Sequence, residues 1–254
     1  MASFKVGVQL WPEHTDMASL RDAWKRADDL GVDSIWVWDH FFPLNPPITG
    51  EHFEGWTTLS AMAADTSHAK LGTLVSCNSY RNPELLADMA RTVDHVSGGR
   101  LYLGVGAGWF EPDYDAYGYD FGSGPSRLKA LEASLPRIKA RLEALNPAPL
   151  GPLPLLIGGS GEKVTLRLVA EYADAWNAFG PADAYARKNE ILNSWCADLG
   201  RDPAEIERTI GLLSGAEVDD AEAYVAAGAT HLIHGLSQPF DFSSVERLLA
   251  VAQG

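Results

Sequence analysis

The sequence predicts an α/β protein, a closed (β/α)8 barrel of eight strand–helix units. Three observations carry that expectation. Short apolar runs alternate with amphipathic segments of about 10–18 residues, the pattern of parallel strands joined by helical crossovers. Eight such units fit into 254 residues, close to the roughly 250 that barrels of this kind use as one domain. The loops are also unequal. Those after the second and fourth strands run to about 12–20 residues and hold most of the aromatic, acidic and glycine residues, as long functional loops do. One barrel domain over residues 1–254 is the expectation, and an open doubly wound sheet is the competing arrangement.

Phe4–Leu10 is the first strand, and its helix runs from about Asp16 to Leu30, where Gly31 ends it. Ser34–Trp38 is the second strand. A loop rich in proline and aromatics, Asp39 to Phe53, leads to a helix over about Glu54–Thr66. Leu71–Cys77 is the third strand. Its helix has Asn82 as cap and Pro83 in the first turn, with Leu85, Leu86, Met89, Val93 and Val96 as the expected apolar face and a Gly98-Gly99 turn behind. Leu101–Val105 is of the type buried on both faces of a parallel sheet, so it is the fourth strand. Gly104, Gly106 and Gly108, with Trp109, leave backbone bare where that strand ends, and a helix follows over about Ser126–Leu145.

Asn146–Pro154 is a connector. Leu155–Ile157, the fifth strand, passes through Gly158-Gly159-Ser160-Gly161 into a helix to about Tyr172. Ala175–Phe179 and Ala182–Leu199 form the sixth unit, with Tyr185, Ile191, Leu192, Trp195 and Leu199 expected inward. Thr209–Leu213 and Thr230–His234 are the last strands, with helices near Asp220–Ala227 and Ser243–Ala252.

Composition narrows the function. A net charge of −14 argues against a nucleic-acid partner, which needs a basic surface. Any phosphate-bearing cofactor must then be held by local donors rather than by the field of the whole protein. No apolar stretch approaches the ~20 residues that span a bilayer, and no secretory signal opens the chain, so no membrane partner is expected. Only Cys77 and Cys196 occur, which excludes a disulfide framework and suggests the cytoplasm.

The Gly158–Gly161 turn between an apolar strand and a helix suits a phosphate, with Ser160 as cap or donor and Lys163 in the first turn. A plain turn needing positive φ is the alternative. The GxxxxGK[ST] signature is absent, and no helix opens directly behind Gly104–Gly108, so neither segment is a standard nucleotide loop. Trp38-Asp39-His40 ends the second strand, where an imidazole can donate to a carbonyl or oxyanion; a structural Asp–His pair is the alternative. Leu74 to Asn78 ends the third strand, and a bulge there would support a flat ring. Cys77 has no basic neighbour in sequence and reads as a packed, inert thiol. His231 and His234 face opposite ways on one strand, so no metal is expected. Glu54, Glu111, Asp113, Asp115 and Asp120 are either surface charge or a glycosidase-type acid pair.

Several segments together resemble the bacterial luciferase superfamily of flavin and deazaflavin oxidoreductases, in particular the branch using the deazaflavin coenzyme F(420). They are VGVQLWP, DSIWVWDHFF, LGTLVSCNSYRNPELLADMARTVDHVSGGRLYLGVGAGWFEPDYDAYG, PLLIGGSGEKVTLRLVAEYADAWN, LGRDPAEIERT and AGATHLI. The resemblance implies a barrel that is usually a homodimer, a ring at the C-terminal mouth and a hydride exchanged with a small organic substrate. An FMN-dependent monooxygenase and a non-catalytic flavin-binding barrel are the alternatives. It further implies that Asp39 and His40 line the reactive side, His40 meeting the substrate and Asp39 orienting it. Leu74-Val75 would form a bulge behind the ring, commonly with a non-prolyl cis peptide, beside Ser76 and Cys77. Gly106, Ala107, Gly108 and Trp109 would follow the ring or ribityl chain, and Gly158, Gly159, Ser160 and Gly161 would take the phosphate. Trp38, Trp109 and Phe42 would form an apolar wall. Two departures stand out. The Leu145–Pro154 segment is shorter than the family's usual insertion. Trp109-Phe110 replaces the small acidic motif of related sugar-phosphate dehydrogenases, which argues against a sugar phosphate.

Overall fold

A computed structural model describes residues 4–253. The strands are β1 (Lys5–Leu10), β2 (Ser34–Val37), β3 (Lys70–Thr73), β4 (Ser76–Cys77), β5 (Leu101–Gly106), β6 (Leu155–Gly158), β7 (Ala175–Phe179), β8 (Glu207–Leu212) and β9 (His231–Leu236). All pair in parallel, in the order β3-β2-β1-β9-β8-β7-β6-β5-β4, and β3 also bonds β5. Since β3 and β4 are two halves of one barrel position, this is the closed (β/α)8 barrel the sequence predicts. Around it lie α1 (Met17–Asp29), α2 (Gly55–Asp65), α3 (Pro83–Ser97), α4 (Glu111–Tyr117), α5 (Gly124–Ala144), α6 (Thr165–Tyr172), α7 (Ala182–Leu199), α8 (Gly215–Asp219), α9 (Ala221–Ala226) and α10 (Ser243–Gln253).

The strand period of two sorts side chains into two cores. Val6, Val8, Ile35, Val37, Leu103, Val105, Ile157 and Ile210 point outward into the helix layer. Trp36, Leu74, Tyr102, Leu156, Ala175 and Ile233 fill the barrel itself. Trp36 dictates its neighbour: a Cβ on Gly72 would lie 2.5 Å from the indole, so the ring crosses the barrel only over bare backbone. At the N-terminal end a polar cluster stops the barrel. Lys5 Nζ and Tyr102 OH donate to Glu207 at 2.7 and 2.8 Å, and Ser34 Oγ meets His231 Nε2 at 2.7 Å. Burial pushes the Glu207 carboxyl up, but His231, Lys5 and Tyr102 outweigh it and hold the pKa down to about 2.

The third strand is not continuous over Leu71–Cys77. It breaks at Leu74–Val75, whose peptide is cis. Gln9 Nε2 donates to Leu74 O at 2.8 Å, and the Thr73 and Ser76 hydroxyls bond each other at 2.7 Å across the break. Gly104 and Gly106, read as bare backbone, and Gly158, read as part of a phosphate turn, make room for this bulge. A Cβ on Gly104 would sit 2.0 Å from Thr73 O, and Cβ atoms on Gly106 and Gly158 would meet Val75 at 2.8 and 3.0 Å.

Other expectations need correction too. In α3, Leu85 and Val96 are exposed, whereas Leu86, Ala87, Ala90 and Val93 face the barrel. Alanine lets the helix approach closely, and a reading weighted to large side chains misplaces the face. Leu199, in the last turn of α7, is exposed as well. The helix expected near Asp220–Ala227 is present as α9, but a further short helix, α8, fills the loop before it and meets it at Asp220. The loop after β5 holds an unexpected helix, α4, with Pro112 in its first turn and Gly118 at φ 70° ending it.

Candidate active site

A cavity of about 570 Å3 opens at the C-terminal ends of the strands. Gln9, Leu74, Val75 and Asn177 lie at its base; Trp11, Trp38, His40, Ala107, Trp109 and Phe179 are among its walls. A larger hollow of about 830 Å3 lies at the opposite end, among Lys5, Asp33, Asp174 and Glu207. It is shallow and open, and barrel enzymes work at the C-terminal face, so the smaller cavity is the better candidate.

The Asp39–His40 pairing expected from the sequence does not form. Asp39 is buried and accepts a two-pronged pair from Arg81 at 2.6 and 2.9 Å, plus the Cys77 N–H at 3.1 Å. Burial pushes its carboxyl up, and Arg81 and the Cys77 amide act against that. Arg81 also donates to Glu54 at 2.8 Å, while Glu54 caps α2 through Trp56 N and Thr57 N. Asp39 therefore ties the end of β2 to the turn before α3.

His40 is held by Asp113 instead. Its Nδ1 lies 2.7 Å from Asp113 Oδ2, which also accepts from Tyr80 OH at 2.8 Å. Asp113 Oδ1 takes the Phe41 and Phe42 amides at 3.0 and 3.2 Å. The carboxylate is fully buried. Of the acid cluster in this loop, Asp113 alone turns inward, because α4 winds residues 111–117 so that Asp113 and Tyr114 face the barrel. The other acids, Glu111, Asp115 and Asp120, are exposed.

Leu74, Val75, Ser76 and Cys77 all border the cavity. Burial pushes the Cys77 thiol up, and Tyr114 OH lies 3.1 Å from it, so it is a packed group. Gly106, Ala107, Gly108 and Trp109 border it too. Gly108, at φ 82°, is required on two counts: its Cβ would also strike Tyr114 OH at 2.1 Å and Cys77 Sγ at 2.5 Å. Phe42 packs near Tyr117, with centroids 6.4 Å apart, and is not part of the cavity wall.

The glycine turn divides. Gly158 and Gly159 line the cavity, as does Thr165, but Ser160 and Gly161 are exposed beyond it. Ser160 caps nothing: α6 starts at Thr165, its N-cap residue is Val164, and no side chain caps it. Lys163 precedes the helix rather than lying in its first turn. The bare helix start beside Gly159 and the Thr165 hydroxyl are the donors that a phosphate would need. The apolar lining that Leu74, Val75, Ala107 and Trp109 give the cavity suits a ring. The residues present fit a ring-and-phosphate cofactor.

Sequence reasoning missed Gln9, Asn177 and Glu13. Gln9 and Asn177 were visible as polar residues inside apolar strands, and Asn177 Oδ1 accepts from Thr209 at 2.8 Å. Glu13 is buried just after β1 and accepts the Leu44 and Asn45 amides at 2.6 and 3.2 Å, which anchors the long loop. Among the described residues no group of three or more His, Cys, Asp or Glu is placed to hold a metal, and no helix is long and apolar enough to cross a membrane.

The fold and the position of this cavity place the chain among barrel enzymes that work at the C-terminal face. Within that class it belongs to the luciferase-like monooxygenase family, whose profile matches residues 1–252, and it is an oxidoreductase. It is 28% identical over 281 residues to the phthiodiolone/phenolphthiodiolone dimycocerosates ketoreductase of Mycobacterium tuberculosis, a match covering 90% of this chain and 73% of that protein. An F(420)-dependent secondary alcohol dehydrogenase, solved with an F(420)-acetone adduct, superposes with a TM-score of 0.89 at 16% identity, covering 100% of both chains. The oxygenating constituent of 3,6-diketocamphane monooxygenase from Pseudomonas putida, solved with FMN, superposes with a TM-score of 0.66 at 15% identity, over 84% of this chain and 67% of its own.

Proposed function

We propose that the protein is a deazaflavin F(420)-dependent oxidoreductase that moves a hydride between the coenzyme and a small organic substrate. The observation that carries this reading is His40, a cavity-facing imidazole fixed from behind by a fully buried carboxylate. A carboxylate only accepts, so Asp113 keeps the proton on Nδ1 and leaves Nε2 for a ligand. Nε2 then accepts the hydroxyl proton of an alcohol, or returns it to the forming alkoxide. The bound deazaflavin supplies the hydride chemistry. Gly159, Thr165 and the start of α6 hold its phosphate, Leu74 and Val75 support its ring, and Trp38 and Trp109 exclude water.

Titration of the purified chain with FMN and with oxidised and reduced deazaflavin, followed by fluorescence, tests the cofactor. Deazaflavin binding is expected. Tight binding of FMN alone rejects the reading in favour of an FMN-dependent monooxygenase.

A homodimer through α2 and α3 belongs to the same reading. Thr57, Ala61 and Ala64 on α2 and Leu85, Thr92 and Val96 on α3 are exposed and uncharged, on neighbouring helices of a strongly acidic chain. A second copy can cover such a face symmetrically without bringing like charges together. Light scattering is expected to show a dimer that Leu85→Lys dissociates. The two cysteines, buried and unpaired, suit a reducing cytoplasm.

A further inference from the structure

Among the described residues, the wall of the mouth cavity carries no lysine or arginine. Its one carboxylate is Asp39, and both of its oxygens are occupied by Arg81. The chain's charge of −14 adds a field that repels anions. The rim, by contrast, is apolar and uncovered. Trp109 is 63% exposed, Phe179 54% and Leu213 51%, and all three also line the cavity. They come from different places, after β5, at the end of β7 and after β8. Large apolar side chains exposed together around one opening mark a ligand surface rather than scattered surface residues.

Both aromatics are held in place. Phe179 lies over Gly211, where a Cβ would come within 2.6 Å of its ring. Trp109 is braced against Phe110 and His40, with centroids 5.3 and 5.7 Å apart. The apolar rim therefore leads straight onto the imidazole.

We propose that this site takes an uncharged, predominantly apolar ketone or the corresponding alcohol, its chain on Trp109, Phe179 and Leu213 and its oxygen toward His40. The proposal rests on the oxidoreductase reading above, and it extends that reading from cofactor to substrate class. Burying each methylene on the rim is worth about a fourfold gain in affinity. A carboxylate carried into the same space finds no cation and loses its water.

The test is a titration of the purified full chain, with and without deazaflavin, followed by calorimetry and tryptophan fluorescence. The probes are a homologous series of straight-chain methyl ketones and the same chains ending in a carboxylate. Affinity is expected to rise about fourfold per added methylene, and the carboxylate series to bind roughly tenfold or more weakly. Phe179→Ala and Leu213→Ala, both at exposed positions, are expected to flatten the increment. Affinity that ignores chain length, or carboxylates that bind as well as ketones, overturns the proposal. Deazaflavin binding is scored separately. Length-dependent ketone binding without deazaflavin binding supports the substrate class while removing the cofactor reading; deazaflavin binding with flat ketone affinity removes the substrate class alone.

Discussion

His40 has two acidic neighbours in the fold, and only one of them touches it. Asp39, next in sequence, is bound to Arg81, while Asp113, 73 residues away, holds Nδ1. The two carboxylates therefore separate in experiment. His40→Ala is expected to cut turnover about 100-fold or more, the scale of a lost general acid–base group, while cofactor affinity stays nearly intact. Unchanged turnover removes the assignment. Asp113→Asn places an amide where the imidazole needs an acceptor and frees the other ring tautomer. Turnover is expected to fall at least about tenfold, with kcat affected more than KM and the pH profile displaced. Asp113→Glu should restore part of the activity. Because Asp113 also accepts from Tyr80 and two amides, the Asn variant should lose about 1–3 kcal/mol of stability, measured by denaturant titration.

Two elements shape the cavity, the long loop after β2 and the broken strand β3/β4. In the loop, Trp38 Nε1 donates to His52 Nε2 at 2.9 Å, so His52 must be neutral there. Burial, chiefly, lowers its pKa from 6.5 to about 4. The folded state thus binds fewer protons than the unfolded chain between those values. The stability this contributes is complete above about pH 6.5 and declines as pH falls toward 4. Thermal unfolding and Trp fluorescence across that window are expected to show the loop loosening, and His52→Gln should flatten the dependence. Beside the broken strand, Gly104→Ala on β5 sets a methyl against Thr73 O and is expected to cost about 3 kcal/mol.

These elements also mark what a linear reading reaches. The barrel, the helix after Asn82 and part of the cavity lining (Asp39, His40, Leu74 to Cys77, Gly106 to Trp109, Gly158 and Gly159) follow from periodicity, capping and family likeness. The role of Gly104, Gly106 and Gly158 does not, since a glycine looks alike whether it faces a ligand or a Val75 methyl. Nor does the His40–Asp113 contact, which depends on α4 turning one acid of a cluster inward. The exposed Leu85 stripe escapes for a related reason: which side of a helix is buried depends on how closely its alanines let it approach.

For the whole molecule, the polar cluster at the N-terminal end sets acid tolerance. Glu207, held down to about 2 from 4.5, contributes stability that is complete above about pH 4.5 and is lost as pH falls toward 2. Glu207→Gln is expected to lower the melting temperature at neutral pH and narrow its difference from the parent near pH 2, as calorimetry would show. The same end bears on traffic. Trp36, Tyr102, Leu156, Ala175 and Ile233 pack the barrel solid beneath the cavity, so molecules cannot pass through it. The site is a dead-end room with one door, in which whatever lies deepest has to arrive first and leave last. Binding should then be ordered, with a deeply seated coenzyme entering before the substrate and leaving after the product in each turnover.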